Sequence, residues 1–205
     1  LAGIIAGRLR ERYHKPSFVL TRGEEGVKGS GRSIESYSMY EKLCECKEYL
    51  TKFGGHPMAA GLSLEEENVE RFRRKLNEQS GLTEEDLVEK VTIDVPMPIH
   101  YIRKDLVQEL SLLEPFGKGN EKPLFAQKNL WVSQMRVFGK NRNVVKMRLT
   151  DENGYPMDGV YFGNGDEFAE EGRGKRKISI VYYPDINMYQ GRESLQVIIR
   201  HYQFD

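Results

Sequence analysis

Cysteine is scarce: Cys44 and Cys46 are the two in 205 residues. That excludes a disulfide-stapled scaffold and suits a reducing cytoplasm rather than secretion. No apolar stretch approaches the ~20 residues needed to cross a bilayer. The longest runs, Leu1 to Gly7 and Ile178 to Tyr183, are far shorter, and no signal peptide is visible. Net charge is also missing, with 31 Lys plus Arg against 31 Asp plus Glu. Bulk electrostatics therefore names no partner, and any nucleic-acid site must come from local clustering. There is no internal repeat and no low-complexity tract. What is present, 39% apolar and 30% charged residues, excludes wholesale disorder and suits a protein with a buried core. The length fits one large domain or two small ones, with two favoured. The chain lacks an initiator Met and opens inside an apolar run, so it is expected to be a fragment.

The periodicity changes along the chain, and the expected domains are 1–88 and 89–205. In the first half, Ile5, Leu9 and Tyr13 recur at four-residue spacing as one apolar helical stripe, ending before Pro16. Ser17 to Leu20 is a short β-type run. Gly23 to Ser33 reads as a loop with four glycines. Tyr40, Leu43, Cys44, Lys47 and Leu50 predict a helix that stops at Phe53-Gly54-Gly55. After a small-residue connection from Met58 to Leu64, Ser63 and Glu66 form a capping-box pattern for a helix with Val69, Phe72 and Leu76 on one face. This half is expected to be α/β. In the second half Val91, Ile93 and Val95 alternate as a strand would, and Leu106, Leu110 and Leu113 mark one helix. Runs at Leu130–Val137, Val144–Leu149, Val160–Phe162, Ile178–Tyr183 and Leu195–Tyr202 are separated by turn signals. Five or so strands at short spacing with one helix predict a small β-barrel of the OB type.

Three features could carry chemistry. Gly29-Ser30-Gly31-Arg32-Ser33 combines glycines that admit close backbone approach, two hydroxyls and a guanidinium fork suited to phosphate. It is expected to run into a helix beginning near Ile34, whose N-terminus favours an anion. The plainer alternative is a flexible loop with Ser33 as N-cap. Gly54-Gly55-His56-Pro57-Met58-Ala59-Ala60-Gly61 offers a histidine between small residues, able to donate to a phosphate oxygen or move a proton. The alternative there is a helix C-cap and tight turn with a structural His56. Arg136, Lys140, Arg142, Lys146 and Arg148 fall within thirteen residues free of acid, and Arg173, Lys175, Arg176 and Lys177 form another block. With Tyr161, Phe162, Tyr183 and Tyr189 nearby, these are residue types used to grip and stack a single strand. The alternative is a solvated face balanced by Asp166, Glu167, Glu170 and Glu171. Cys44 and Cys46 have no Cys or His partner at zinc-site spacing, and no Asp/His cluster could hold two hard cations.

Taken together the motifs resemble a family. Gly3-Ile4-Ile5-Ala6-Gly7-Arg8-Leu9, Tyr13-His14-Lys15-Pro16, Gly29 to Ser33 and Phe53 to Gly61 resemble the DHH-associated domain of RecJ exonucleases. Leu112 to Asn120, Pro123-Leu124-Phe125-Ala126 and Gly191 to Gln196 resemble the OB domain that follows it. Gly54 to Gly61 alone would also fit oligoribonuclease and phosphodiesterase relatives. The resemblance implies the C-terminal part of a 5′→3′ single-stranded-DNA exonuclease of repair and recombination. It implies a Mn²⁺- or Mg²⁺-dependent parent whose metals sit on an N-terminal DHH domain, a motif absent here, so no catalytic residue or metal is expected in this chain. By the same resemblance, Ser30 and Arg32 would hold a phosphate near the 5′ end, with Ser33 nearby. Gly54, Gly55 and His56 would contact the phosphate beside the scissile bond. Arg136, Lys140, Arg142, Lys146 and Arg148 would grip the strand backbone. Single-stranded DNA is the implied partner, and single-strand-binding protein or a helicase are candidate protein partners. Two other classes stay open: a non-catalytic single-strand-binding module, and a docking platform built on the charged helix Glu65 to Asn77.

Overall fold

The computed structural model describes residues 1–23, 26–117 and 119–205. Contacts divide the chain into two compact units, Leu1–Lys90 and Val91–Asp205. In the first, helix α1 (Ala2–Tyr13) is followed by strands β1 (Ser17–Gly23) and β2 (Gly26–Arg32), helix α2 (Met39–Glu45), strands β3 (Lys52–His56) and β4 (Ala59–Leu64), and helix α3 (Val69–Glu78). The strands form one antiparallel sheet in the order β1-β2-β4-β3. Its inner face supplies Val27, Ala60, Leu62 and Leu64, which pack with Met39, Leu43 and Cys46 around α2 and Phe72 of α3. Phe18 meets Phe72 edge-to-face at 5.8 Å, an arrangement the ring quadrupole favours.

Several local expectations change. The glycine-rich stretch is not a loop but strand β2 of a hairpin with β1; Glu24 and Glu25 of that stretch lie outside the described residues. No helix begins near Ile34, because α2 starts at Met39. Phe53-Gly54-Gly55 is strand β3, not a helix end. Ser63 lies in β4 and makes no cap; a 3-10 turn, Glu66–Asn68, leads into α3. In the α1 stripe Ile5 and Tyr13 are exposed and Leu9 is half-buried, while Ala6 is fully buried. Small residues let this helix lie close to β1 and β2, so close approach sets its buried face instead of apolar bulk.

The second unit contains β5 (Val95–Pro96), α4 (Lys104–Ser111), β6 (Phe125–Phe138), β7 (Val144–Thr150), β8 (Pro156–Phe162), α5 (Gly165–Glu171), β9 (Lys177–Tyr189) and β10 (Arg192–Phe204). The alternating stretch from Val91 contributes only the two-residue β5, parallel to β6. Leu113 lies beyond α4 and is exposed, so Val107 and Leu110 are the residues that pack on the core. The other five strands pair as β6-β7-β8-β10-β9, and β9 pairs back onto β6. This ring is the OB barrel the strand runs predicted. Register shifts at Gln127/Leu130 and Ser133/Arg136 in β6 bend that strand so that it pairs first with β9 and then with β7, which is how a small barrel closes. Helix α5 was not expected. Its fully buried Phe168 stacks on Tyr161 and meets Tyr202 and Phe204, closing the core with an aromatic plug.

The turn after β7 is held by Asp151, which is 3% exposed. It accepts the N–H groups of Asn153 (2.9 Å) and Tyr155 (2.8 Å) and faces Nδ1 of His100 at 2.9 Å. Burial alone would raise its pKa. The Tyr155 amide, His100 and the Asn153 amide outweigh burial and hold the carboxyl below the usual carboxylate range. A lowered folded-state pKa contributes stability that is complete above the unfolded value of about 3.9 and lost as pH falls through the folded value. Asp151→Ala should therefore destabilise the barrel by about 2–4 kcal/mol, since two amides lose their acceptor. It should also flatten the acid limb of a urea-midpoint profile against pH. An unchanged profile would remove the carboxylate from the account.

Candidate nucleic-acid interface

Antiparallel pairing puts directly opposed residues on the same sheet face, and the register across β4 assembles the outer face of the first unit in three rows. Arg32 of β2 opposes Ala59, which opposes His56 of β3. Ser30 opposes Gly61, which opposes Gly54. Lys28 opposes Ser63, which opposes Lys52. The two sequence motifs are thus brought together side by side, with Arg32 and His56 two strand spacings, about 10 Å, apart. The floor between them carries almost no side chain, and the rows contain no carboxylate. Lys28, Lys52 and Ser63 were missed in the sequence reading. They lie outside both motifs, and only the strand register relates them to the rest.

The individual groups are held in specific ways. Half-buried Arg32 donates from one guanidinium nitrogen to the Gly31 carbonyl at 2.8 Å. Its other terminal nitrogen lies against Gly3 of α1, where an added Cβ would come within 2.8 Å of it. It has no acidic partner among the described residues. Exposed His56 accepts the Met58 N–H at Nδ1, 3.3 Å away, so the proton of the neutral ring sits on Nε2, turned to donate. Ser33 differs from its neighbours. It is buried, its hydroxyl donates to the Tyr37 carbonyl at 2.6 Å, and its N–H donates to the Met58 carbonyl at 2.9 Å. Ser33 therefore ties the end of β2 to the β3–β4 turn and is spent on structure.

The glycines also separate. A Cβ on Gly29 would strike Leu20 and one on Gly31 would strike Met39 and Phe18. These two glycines face the core and do not cradle an anion, which corrects the phosphate-loop picture. Gly55, at φ +152°, has no room either, since a Cβ would strike the Ala59 carbonyl oxygen and the Ala60 backbone. Gly54 has nothing within 4 Å of a Cβ. The fold gives no steric reason for glycine there, whereas close approach of a strand backbone would.

On the barrel, Arg136 opposes Lys146, and Phe138, Val144 and exposed Phe162 form the next row on β6, β7 and β8. Lys146 lies 6.0 Å from the Phe138 ring. Arg136, Lys140 and Lys146 have no ion-pair partner among the described residues. Arg142 is bound to Asp166 at 2.6 Å, which raises its pKa and lowers that of the acid, and Arg148 is bound to Asp158 at 2.5 Å. The acid-free basic run in the sequence is therefore neutralised at two of its five positions by acids from elsewhere. Tyr161 points into the core rather than outward. In the Gly117-Lys118-Gly119 turn, Lys118 lies outside the described residues.

Among the described residues no three His, Cys, Asp or Glu side chains converge to hold a metal ion. Among the described residues His14, His56 and His201 have no carboxylate partner, and His100 is engaged by Asp151. This donor set does not fit a two-metal centre. No helix among the described residues is long and apolar enough to cross a membrane.

The chain is thus an antiparallel α/β sheet unit with a cationic, glycine-floored face followed by an OB barrel. Residues 1–81 match the DHHA1 domain and residues 93–201 match the RecJ OB domain. The chain belongs to the RecJ family. It is 38% identical over 206 residues to the single-stranded-DNA-specific exonuclease RecJ of Bacillus subtilis, covering 98% of this chain and 26% of that protein. It is 33% identical to the RecJ of Escherichia coli over 97% of this chain and 35% of that one. The crystal structure of Thermus thermophilus RecJ in complex with Mg²⁺ superposes with a TM-score of 0.79 at 25% identity, covering 98% of this chain and 30% of that one. A Mn²⁺ complex of the same enzyme gives 0.80. The chain thus spans about a quarter to a third of the length of these relatives.

Gly54 and Gly55 should respond oppositely to alanine. Gly55→Ala should lower thermal stability by at least about 2 kcal/mol, because the clash is with backbone. Gly54→Ala should leave stability within about 0.5 kcal/mol yet weaken oligonucleotide binding. Unchanged binding by folded Gly54→Ala would remove the close-approach argument.

Proposed function

We propose that this chain is the strand-holding part of a RecJ-type single-stranded-DNA exonuclease. Its sheet unit grips phosphates near the 5′ end and its barrel binds the strand without reading sequence. The observation that carries the proposal is the outer sheet face: Arg32, Lys52 and a donating His56 border a floor of Gly54, Ala59 and Gly61, with no carboxylate among these residues. The half-buried Arg32 guanidinium has one carbonyl partner and no carboxylate among the described residues, which leaves N–H donors for an anion. A phosphate accepts a bidentate guanidinium well. Ser30, whose side chain has no hydrogen-bond partner among the described residues, adds a donor one row away.

The chemistry divides accordingly. Arg32 and Ser30 hold one phosphate, while Gly54 lets the backbone approach and His56 Nε2 donates to the next phosphate. Ser33 positions Arg32 relative to the β3–β4 turn that follows His56, and Gly55 lets β3 lie against Ala59 and Ala60 just before that turn. Arg136, Lys140 and Lys146 supply backbone attraction, and Phe138 and Phe162 offer faces on which bases stack. In the intact enzyme, divalent ions such as Mn²⁺ or Mg²⁺ supply the activated water, and the residues of this chain position the phosphodiester against it. Alone, this chain binds and does not cleave.

Equilibrium anisotropy with a fluorescent single-stranded DNA tests the reading. A 5′-phosphate should be preferred over a 5′-hydroxyl. Arg32→Ala should cost about 1–3 kcal/mol and abolish the preference. Lys146→Ala should instead reduce the slope of log affinity against log salt by roughly one, leaving the end preference intact. Absence of salt-sensitive binding at low ionic strength would overturn the proposal.

A further inference from the structure

The sole tryptophan, Trp131, lies outside the surface assigned above. It sits where β6 changes partners, opposing both Thr150 of β7 and Lys177 of β9. The residues on either side of it, Leu130 and Val132, pack into the barrel core, so the indole projects from the outer wall. It is 47% exposed. The Lys177 ammonium lies over the ring, 4.7 Å from its centroid, and nearly half of the residue's surface remains open to solvent. The nearby cations differ in availability. Arg173 is paired with Glu170 at 2.6 Å and Lys175 donates to the Phe204 carbonyl. Arg176 is exposed and has no side-chain partner among the described residues, and its carbonyl accepts the Val132 N–H, fixing it beside the tryptophan strand. The adjacent acid, Asp205, accepts from the Ser179 hydroxyl at 3.0 Å and makes no ion pair with Lys177.

This end of the barrel carries the β7–β8 turn and the link from α5 to β9. Phe138, Phe162 and the Lys140 loop belong to its other end. We infer that Trp131, with Lys177 and Arg176, forms a second stacking platform for single-stranded nucleic acid, separate from the Phe138–Phe162 row. A flat, half-exposed aromatic accepts a base of any sequence, and the two cations meet the flanking phosphates. Nucleic acid is favoured over an acidic peptide because the exposed feature is a flat ring of base size and not a groove. The inference rests on the reading of the barrel as a single-strand binder, and the measurement separates the two.

Because there is one tryptophan, its fluorescence reports this site directly. The full chain is titrated with unlabelled oligothymidylate while anisotropy of a labelled strand follows total binding. The inference predicts saturable quenching of Trp131 that tracks the anisotropy. It also predicts roughly 5- to 100-fold weaker binding for Trp131→Ala and recovery by Trp131→Phe. Binding by anisotropy with unchanged Trp131 emission and an unaffected Trp131→Ala variant would overturn the platform while leaving the barrel a single-strand binder. No binding by anisotropy would overturn both. Quenching by poly-glutamate as strong as by the oligonucleotide would overturn the platform in favour of a protein-docking role.

Discussion

Everything proposed for the sheet unit depends on one constraint, the antiparallel register across β4. Pairing of Arg32 with Ala59 and of Ala59 with His56 puts two sequence motifs more than twenty residues apart on one face. A slip of one residue on either side would send those side chains into the core, because strand faces alternate. The register is pinned from the inner face. Gly29 and Gly31 admit Leu20, Phe18 and Met39 where a side chain would strike them, and the apolar residues of β4 complete that packing. Core and surface are therefore set by one alignment, and the glycines once attractive as an anion cradle act from the opposite side.

In the barrel the corresponding constraint is closure. Two register shifts let β6 serve β9 and β7 in turn, and the aromatic group around Phe168 fills the interior. Closure removes free strand edges and fixes which side chains face outward. That divides the basic run by strand position: Arg136 and Lys146 share a row, while Arg142 and Arg148 are neutralised by Asp166 and Asp158.

The β-rich second half was legible in the sequence because short alternating runs and glycine or asparagine turns mark barrel strands one by one. Helix α5 was not, since Phe168 is its single buried large residue and its charged positions read as surface. The spacing from Asn164 to Glu167, now an N-cap bond at 3.2 Å, was the available signal. In the first half glycine, unfavourable in strands, hides β2 and β3; here its absence of bulk is what the packing needs. Arg32, His56 and Gly54 were found by residue type and resemblance. Lys28, Lys52 and Ser63 could not be, since nothing local connects them. Ser33 has the right chemistry in the right segment, and only its hydrogen bond to Tyr37 reveals its structural use.

The central claim is that Arg32 and His56 act on one strand across the bare floor of β4. The most direct test follows the ¹⁵N resonances of the Arg32 guanidinium and the His56 imidazole while a 5′-phosphorylated dinucleotide is added. The account predicts that both move along a single saturation curve and that Gly54→Ala weakens that curve for both. Movement confined to Arg136 and Lys146, with Arg32 and His56 unchanged at saturation, would contradict it.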